Sequence, residues 1–189
     1  MNEQQHFRRI AEGLDPTDVL AELARCPELW SLITLRQQYA GSAHRDTETI
    51  VLRGPETAEN LFENLDAYDY PYFAGLSAIR DLIRRAIEPL HCRDFGRMMI
   101  VRLKAGGEIT PHVDEGAYAR YFARFHLVLD SNPGCIFNAG GESQYMAPGE
   151  LWWFNHQVEH YVINTGPART HIIMDLCAPG FTGALARPA

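Results

Sequence analysis

His112-Val113-Asp114 sets an imidazole and a carboxylate two residues apart, and His160 and Arg169 follow further along the chain. In an extended strand residues i and i+2 project to one face, so His112 and Asp114 point together while Val113 turns into the opposite layer. Two imidazoles and one carboxylate can occupy one face of an octahedral Fe(II). Three positions then stay open for a chelating co-substrate and O2. The far carboxylate of such a co-substrate needs a cation, best an arginine, whose fork matches a carboxylate bidentately. Arg169 stands downstream of the last ligand for that role. The set reads as a 2-oxoglutarate-dependent, non-haem iron site with His112, Asp114 and His160 as its catalytic metal ligands.

An H-x-D pair alone is common, so the surrounding residues carry the weight. Pro111 stiffens the approach to His112. The spacing Gly106-x5-His112-x-Asp114 resembles the first half of a cupin-type metal motif. Pro148-Gly149 followed by His160-x3-Asn164 resembles the second. His156 is the rival third ligand, but it lies in Asn155-His156-Gln157, where a loop is expected, whereas His160 begins an alternating segment. Along Arg124-Phe125-His126-Leu127-Val128-Leu129, Arg124 and His126 share one face and the apolar residues Phe125, Leu127 and Leu129 share the other. Buried charges without partners cost several kcal/mol. A polar face of this kind therefore suits a pocket for an acid, the alternative being a solvated sheet face. His171, two residues beyond Arg169 on the same strand face, is expected to be a packed, hydrogen-bonded histidine, the alternative being that it lines the site. His6, His44 and His91 form no constellation. Arg53, Arg102, Glu115, Tyr118, Tyr121 and Trp153 are candidates to line a substrate pocket, with Glu115-Gly116-Ala117-Tyr118 as a lid or a plain surface connection.

The elements that must hold these residues are mostly strands. Residues 1–30 read as helical, with a start signal at Asp15-Pro16-Thr17-Asp18. Thr49–Leu52 reads as a short strand ending at Arg53-Gly54-Pro55, residues 57–65 as a short helix, and residues 76–90 as a stronger one with Leu76, Ile79, Leu82, Ile83 and Ile87 on one stripe. From about residue 95 the period turns to alternation. Strands are expected at 98–103, 109–114, 123–130, 135–137, 143–146, 151–154, 160–164 and 170–176, separated by Gly-, Pro- and Asn-rich turns. Many short strands with regular turns argue for a sandwich or barrel. The expected fold is mainly β with N-terminal helices, a double-stranded β-helix (jelly roll, cupin-like). Residues 1–189 form one domain: 1–94 pack on a catalytic core at 95–178, and the tail from Pro179 is loosely held.

With 189 residues, 46% hydrophobic and 22% charged, the chain has the composition of a soluble globule. A net charge of −7 disfavours a nucleic-acid backbone as main partner. Cys26, Cys92, Cys135 and Cys177 form no C-x-x-C pair, so zinc clips and thioredoxin chemistry have no support. No secretory leader or membrane-length apolar run is read, and a cytoplasmic enzyme with a small-molecule or peptide substrate is the expectation.

Ile109 through Asp114, Arg124-Phe125-His126-Leu127, Gly149-Glu150-Leu151-Trp152, and His160 through Asn164 to Arg169-Thr170-His171-Ile172 and Asp175 together resemble the aspartyl/asparaginyl β-hydroxylase family over roughly residues 96–178. The resemblance implies an Fe(II)/2-oxoglutarate dioxygenase on a double-stranded β-helix. It implies His112, Asp114 and His160 as iron ligands, Arg169 on the distal carboxylate of 2-oxoglutarate, and Arg124 and His126 as further co-substrate contacts. It also implies hydroxylation of an unactivated C–H bond of an amino acid, a peptide residue or a related small molecule, with release of succinate and CO2. The competing readings are a non-oxidative metal-binding cupin (an isomerase or lyase), which needs neither Arg169 nor the Arg124/His126 face, and a regulatory binding protein.

Overall fold

The computed structural model describes residues 6–38, 42–57 and 59–181. Two antiparallel sheets carry the fold. The larger has the order β1(Phe7–Ala11), β9(Leu151–Phe154), β6(Ala123–Asp130), β11(Arg169–Cys177), β4(Asp94–Leu103), β2(Thr47–Gly54) and β3(Tyr68–Asp69). The smaller has the order β5(Glu108–His112), β10(His160–Asn164), β7(Cys135–Ala139) and β8(Glu142–Gln144). Apart from the β7–β8 hairpin and the β2–β3 pair, neighbours in each sheet are distant in sequence, which is the double-stranded β-helix that the strand pattern called for.

Period-2 alternation divides each central strand between two cores. On β6, Phe125, Leu127 and Leu129 face outward, where they pack with Ile172, Met174 and Leu176 of β11 and with α1(Thr17–Arg25) and α3(Ser77–Ile87). The other face of the large sheet meets the small one. There Phe7, Leu103, Val128 and Phe154 interlock with Ile109, Phe137 and Val162. The large sheet is thus covered on both sides, which is why β11 is buried along almost its whole length. The inward positions of β11 are Arg169, His171, Ile173 and Asp175, so three polar side chains project between the sheets.

The helices begin as the sequence indicates. Asp15 Oδ1 accepts from the Thr17 amide at 3.0 Å and from the Thr17 hydroxyl at 2.6 Å, fixing the start of α1. The first turn of α3 is satisfied from outside: the buried Glu22 carboxylate of α1 accepts from the Ala78 and Ile79 amides at 3.3 and 3.0 Å.

Two segments differ from expectation. Residues 7–11, read as part of a helix, form an edge strand registered on β9 with Phe7 opposite Phe154; residues 1–5 lie outside the described residues. The edge of β9 offers unpaired backbone groups, and pairing with them outweighs local propensity. Residues 57–65, read as a short helix, are turns in their described part. Asn60 adopts a left-handed φ of 53°, and the Arg97 guanidinium takes the Leu61 and Asn64 carbonyls that a helix would have used. The tail beyond Phe181 lies outside the described residues. All four cysteines are thiols. No described helix is long and apolar enough to cross a membrane.

Candidate metal and co-substrate site

Strand register brings the first two donors together. β10 pairs with β5 so that His160 lies directly opposite His112, and their ring centroids are 4.2 Å apart. Each ring is oriented from behind: His112 Nδ1 bonds the Thr110 carbonyl at 2.8 Å, and His160 Nδ1 bonds the Val158 carbonyl at 2.9 Å. A carbonyl only accepts, so Nδ1 carries the hydrogen in both rings and each Nε2 presents a lone pair. Asp114, just past the end of β5, closes the set. Its Oδ1 is 3.9 Å from His112 Nε2 and its Oδ2 is 4.0 Å from His160 Nε2. One donor atom from each of the three residues lies within 4.8 Å of the others. With metal–donor bonds of about 2 Å, a single ion reaches all three. Two imidazoles and one carboxylate fit Fe(II).

The Asp114 carboxylate is itself held. Its backbone amide donates to the His156 carbonyl at 3.1 Å. Burial alone would raise its pKa, but the Arg124 charge and the His156 contact hold it well below the ordinary 3.8. It is therefore a carboxylate, ready to bind a cation. Burial pushes His160 down to about 4 against the pull of Asp114, so its ring is neutral near pH 7.

Arg124 does something other than the sequence reading assigned. Across the β6–β11 ladder it sits opposite Asp175. Its Nε and Nη2 donate to the two Asp175 oxygens at 2.8 and 3.0 Å, and its Nη1 donates to Asp114 Oδ2 at 2.6 Å. The anions that answer this buried cation are the protein's own carboxylates. Arg124 is thus a brace between Asp175 and the metal-site carboxylate. Tyr118, a candidate substrate contact, donates its hydroxyl to Asp175 at 3.1 Å and belongs to the same brace.

Arg169 is in the opposite condition. It is 0% exposed, yet none of its three guanidinium nitrogens has a hydrogen-bond partner among the described residues. The Cys135 thiol feels its charge, but a thiol is too weak an acceptor to satisfy a guanidinium. The guanidinium lines a small pocket with Ser131, Cys135, Phe137, Gln144, Met146, Val162 and His171. A buried fork of unfilled donors beside a cavity is the complement of a carboxylate.

His126 and His171 are both 3% exposed and touch through their Nδ1 atoms at 3.2 Å. Burial and the Arg169 charge hold both well below their ordinary value. In a neutral pair one Nδ1 donates and the other accepts. Of the two Nε2 atoms, both buried and unpartnered, one is then a donor and the other an acceptor. His171 is hydrogen-bonded, as the sequence reading has it, but to His126 and inside the site.

Three more assignments are decided by tertiary packing. His156 is not in the three-donor cluster. Its Nδ1 lies 3.2 Å from Asp114 Oδ2 and its Nε2 3.0 Å from the Phe122 carbonyl, so it supports the carboxylate from behind. His44, without a role in the sequence reading, packs edge-to-face on His112 at 5.1 Å between centroids. Asn164 stays outside the cluster: its amide donates to the Lys104 and Pro167 carbonyls at 3.0 and 2.7 Å and pins the turn that leads to Arg169. Of the candidate pocket residues, Arg53 is paired with Asp69, Arg102 with Glu48 and the Trp30 ring, Tyr121 with Asp94, and Trp153 with the Phe181 ring. Glu115 is exposed ahead of α4(Gly116–Tyr121). That short helix is seated against residue 62: Gly116 has φ 92°, and a Cβ there would stand 2.3 Å from the Phe62 carbonyl oxygen.

A double-stranded β-helix carrying two imidazoles and one carboxylate on its inner wall defines a mononuclear metal-site protein of the cupin-like class. The signature of the aspartyl/asparaginyl beta-hydroxylase family matches residues 77–179, and the chain belongs to that family. An L-proline cis-4-hydroxylase of Rhizobium meliloti (strain 1021) is 27% identical over 125 residues. The match covers 66% of this chain and 44% of that protein, so the chain spans less than half of this relative's length. Two solved structures share the fold. One is a Trichoplax adhaerens prolyl hydroxylase in complex with a fragment of hypoxia inducible factor (TM-score 0.57, 14% identity, 97% of this chain and 89% of that one). The other is a Burkholderia pseudomallei oxidoreductase of the 2OG-Fe(II) oxygenase family (TM-score 0.55, 16% identity, 97% of this chain and 100% of that one).

Proposed function

We propose that this chain is an Fe(II)- and 2-oxoglutarate-dependent dioxygenase that hydroxylates an unactivated C–H bond of an amino acid, a peptide residue or a related small molecule. One observation carries the reading. A two-histidine, one-carboxylate cluster and a fully buried, unpartnered arginine stand in the same fold, the first suited to iron and the second to the acid that iron of this kind uses. Family membership and the proline-hydroxylating relative support it.

His112, Asp114 and His160 would hold the iron. When bound, iron supplies the oxidising power that places one oxygen atom of O2 on the substrate carbon while 2-oxoglutarate takes up the other and leaves as succinate and CO2. The Thr110 and Val158 carbonyls keep both imidazoles in the tautomer that offers Nε2. Arg124 and His156 keep Asp114 ionised and aimed. Arg169 receives the distal carboxylate of 2-oxoglutarate, and the His126–His171 pair adds one donor and one acceptor to that pocket. The apolar wall of Phe137, Met146 and Val162 excludes water from the acid.

The test is succinate release from 2-oxoglutarate with Fe(II) and O2, stimulated by a panel of L-amino acids, L-proline among them, and short peptides. Stimulated succinate formation by the parent protein, abolished together with bound iron in Asp114→Ala, is the expected result. A parent that loads iron but neither binds 2-oxoglutarate nor yields succinate with any of the panel would refute the reading and favour a non-oxidative cupin.

A further inference from the structure

His160 turns toward the interior, with Phe154 at 5.1 Å and Phe137 at 6.3 Å between ring centroids, and Phe137 continues into the Arg169 cavity. His112 packs on His44. Beyond His44 stands Arg36, on the one-turn helix α2(Leu35–Gln38), with its Nη2 3.1 Å from His44 Nε2. A guanidinium has only donors, so His44 accepts through Nε2 and carries its hydrogen on Nδ1. Both remaining groups, Arg36 Nη1 and His44 Nδ1, are buried without a hydrogen-bond partner among the described residues. Two buried, unfilled N–H donors therefore lie one imidazole away from a donor of the metal site.

Charge accounting singles out the same group. The Arg36 charge interacts with Arg124, Arg169, Asp114 and Asp175. Burial pushes the Arg36 guanidinium down to about 10, with Arg124 adding to that and the two carboxylates opposing it, so it stays cationic near neutrality. Four guanidinium cations, those of Arg36, Arg97, Arg124 and Arg169, thus lie around two carboxylates. Fe(II) would add two positive charges and 2-oxoglutarate two negative ones, which leaves the site with an excess of positive charge. Arg124 already holds both carboxylates, and Arg169 faces the co-substrate cavity. Arg97 Nη2 is answered by the Leu61 and Asn64 carbonyls. Arg36 keeps a buried nitrogen with no acceptor among the described residues.

We infer that Arg36, held by His44 beside the metal site, is the receptor for a carboxylate of the substrate. The inference rests on the oxygenase reading and narrows it: the C–H bond oxidised belongs to a molecule with one carboxylate near it. Two sources share that chemistry, the α-carboxylate of a free amino acid and the side chain of an acidic residue within a peptide. An internal neutral peptide residue would leave the Arg36 donors unfilled.

The experiment is calorimetric binding to the iron-loaded protein with 2-oxoglutarate and without O2, so that no turnover is needed. The probes are the L-amino acids, L-proline first, each against its carboxamide, and a terminally blocked peptide with an internal Asp or Glu. The tightest acid should lose about 10- to 100-fold in affinity when its carboxylate becomes an amide, the loss of a charge-assisted hydrogen bond. Arg36→Gln should cost the same, amide and variant together should cost no more than either alone, and Arg36→Lys should recover part of the loss. Iron content and 2-oxoglutarate affinity should stay as in the parent. Preference for free amino acids points to the α-carboxylate, and preference for the blocked acidic peptide to the side chain. Equal binding of acid and amide by the parent overturns the inference, as does Arg36→Gln losing 2-oxoglutarate in place of the acid. If the parent binds 2-oxoglutarate but no acid of the panel, the carboxylate assignment falls and the oxygenase reading stands. If it binds no 2-oxoglutarate, both fall.

Discussion

Arg169 is a charge that the fold buries and does not answer, so replacing it should move stability and co-substrate binding in opposite directions. The side chain is 0% exposed, and Nε, Nη1 and Nη2 all lack acceptors among the described residues. Methionine fills a similar volume without the charge. Exchanging buried ionic groups for apolar side chains of similar size is worth about 1–4 kcal/mol of stability. A chain of this length gains about 2–4 °C per kcal/mol, so Arg169→Met without 2-oxoglutarate should melt on the order of 5 °C above the parent. Two charge-assisted hydrogen bonds to a carboxylate are worth about 3–6 kcal/mol together, so affinity for 2-oxoglutarate should fall about 100- to 10,000-fold. At a concentration near 100 times the parent's dissociation constant, the parent gains about 2.7 kcal/mol from the ligand and the variant none. Thermal melts of both proteins, loaded with a redox-inert divalent metal and run with and without 2-oxoglutarate, read both effects at once. A variant that melts below the parent and still shifts with 2-oxoglutarate would show that Arg169 is a packing residue whose charge has no ligand, and the reasoning would be refuted.

Asp175→Asn should cost about 3–5 kcal/mol in urea unfolding, because it leaves the buried Arg124 with one carboxylate where it had two. Through Arg124 it should also lower metal affinity about 10- to 100-fold, as loss of an outer partner of a ligand does. Unchanged metal affinity at that stability loss would reduce the brace to a structural role. Stability should also fall with acid. Folded His126 and His171 stay neutral because their pKa values are depressed, whereas in the unfolded chain each takes up a proton below about pH 6.5. Stability is then full above about 6.5 and lost as pH falls toward the depressed folded values, by up to about 1.4 kcal/mol per unit for each ring. The groups that face the pair and enforce this are Arg169, Arg124, His160 and Arg36. His171→Gln should remove about half of that slope in denaturation series run from pH 7 to 5, and an unchanged slope would assign the acid sensitivity elsewhere.

The sequence by itself determined the strands and the residues that share a face. Alternation depends only on backbone geometry, so β6 and β9 to β11 could be read to within a residue, and with them the inward direction of Arg124, His126, Arg169, His171 and Asp175. The H-x-D step and the start of an alternating segment at His160 were equally local signals. The tertiary structure decided which of those inward groups meet. No local pattern says that Asp175 lands opposite Arg124 and takes its charge, that Arg169 is left with none, or that residues 7–11 leave the helix their composition favours for the open edge of β9. His44 and Arg36 come from a segment without periodicity, and their approach to His112 depends on how that segment is laid over β5. Register between distant strands and the filling of one buried charge by another are properties of the assembled core, where desolvation makes each unpaired charge costly. They therefore exist only once the sheets have closed.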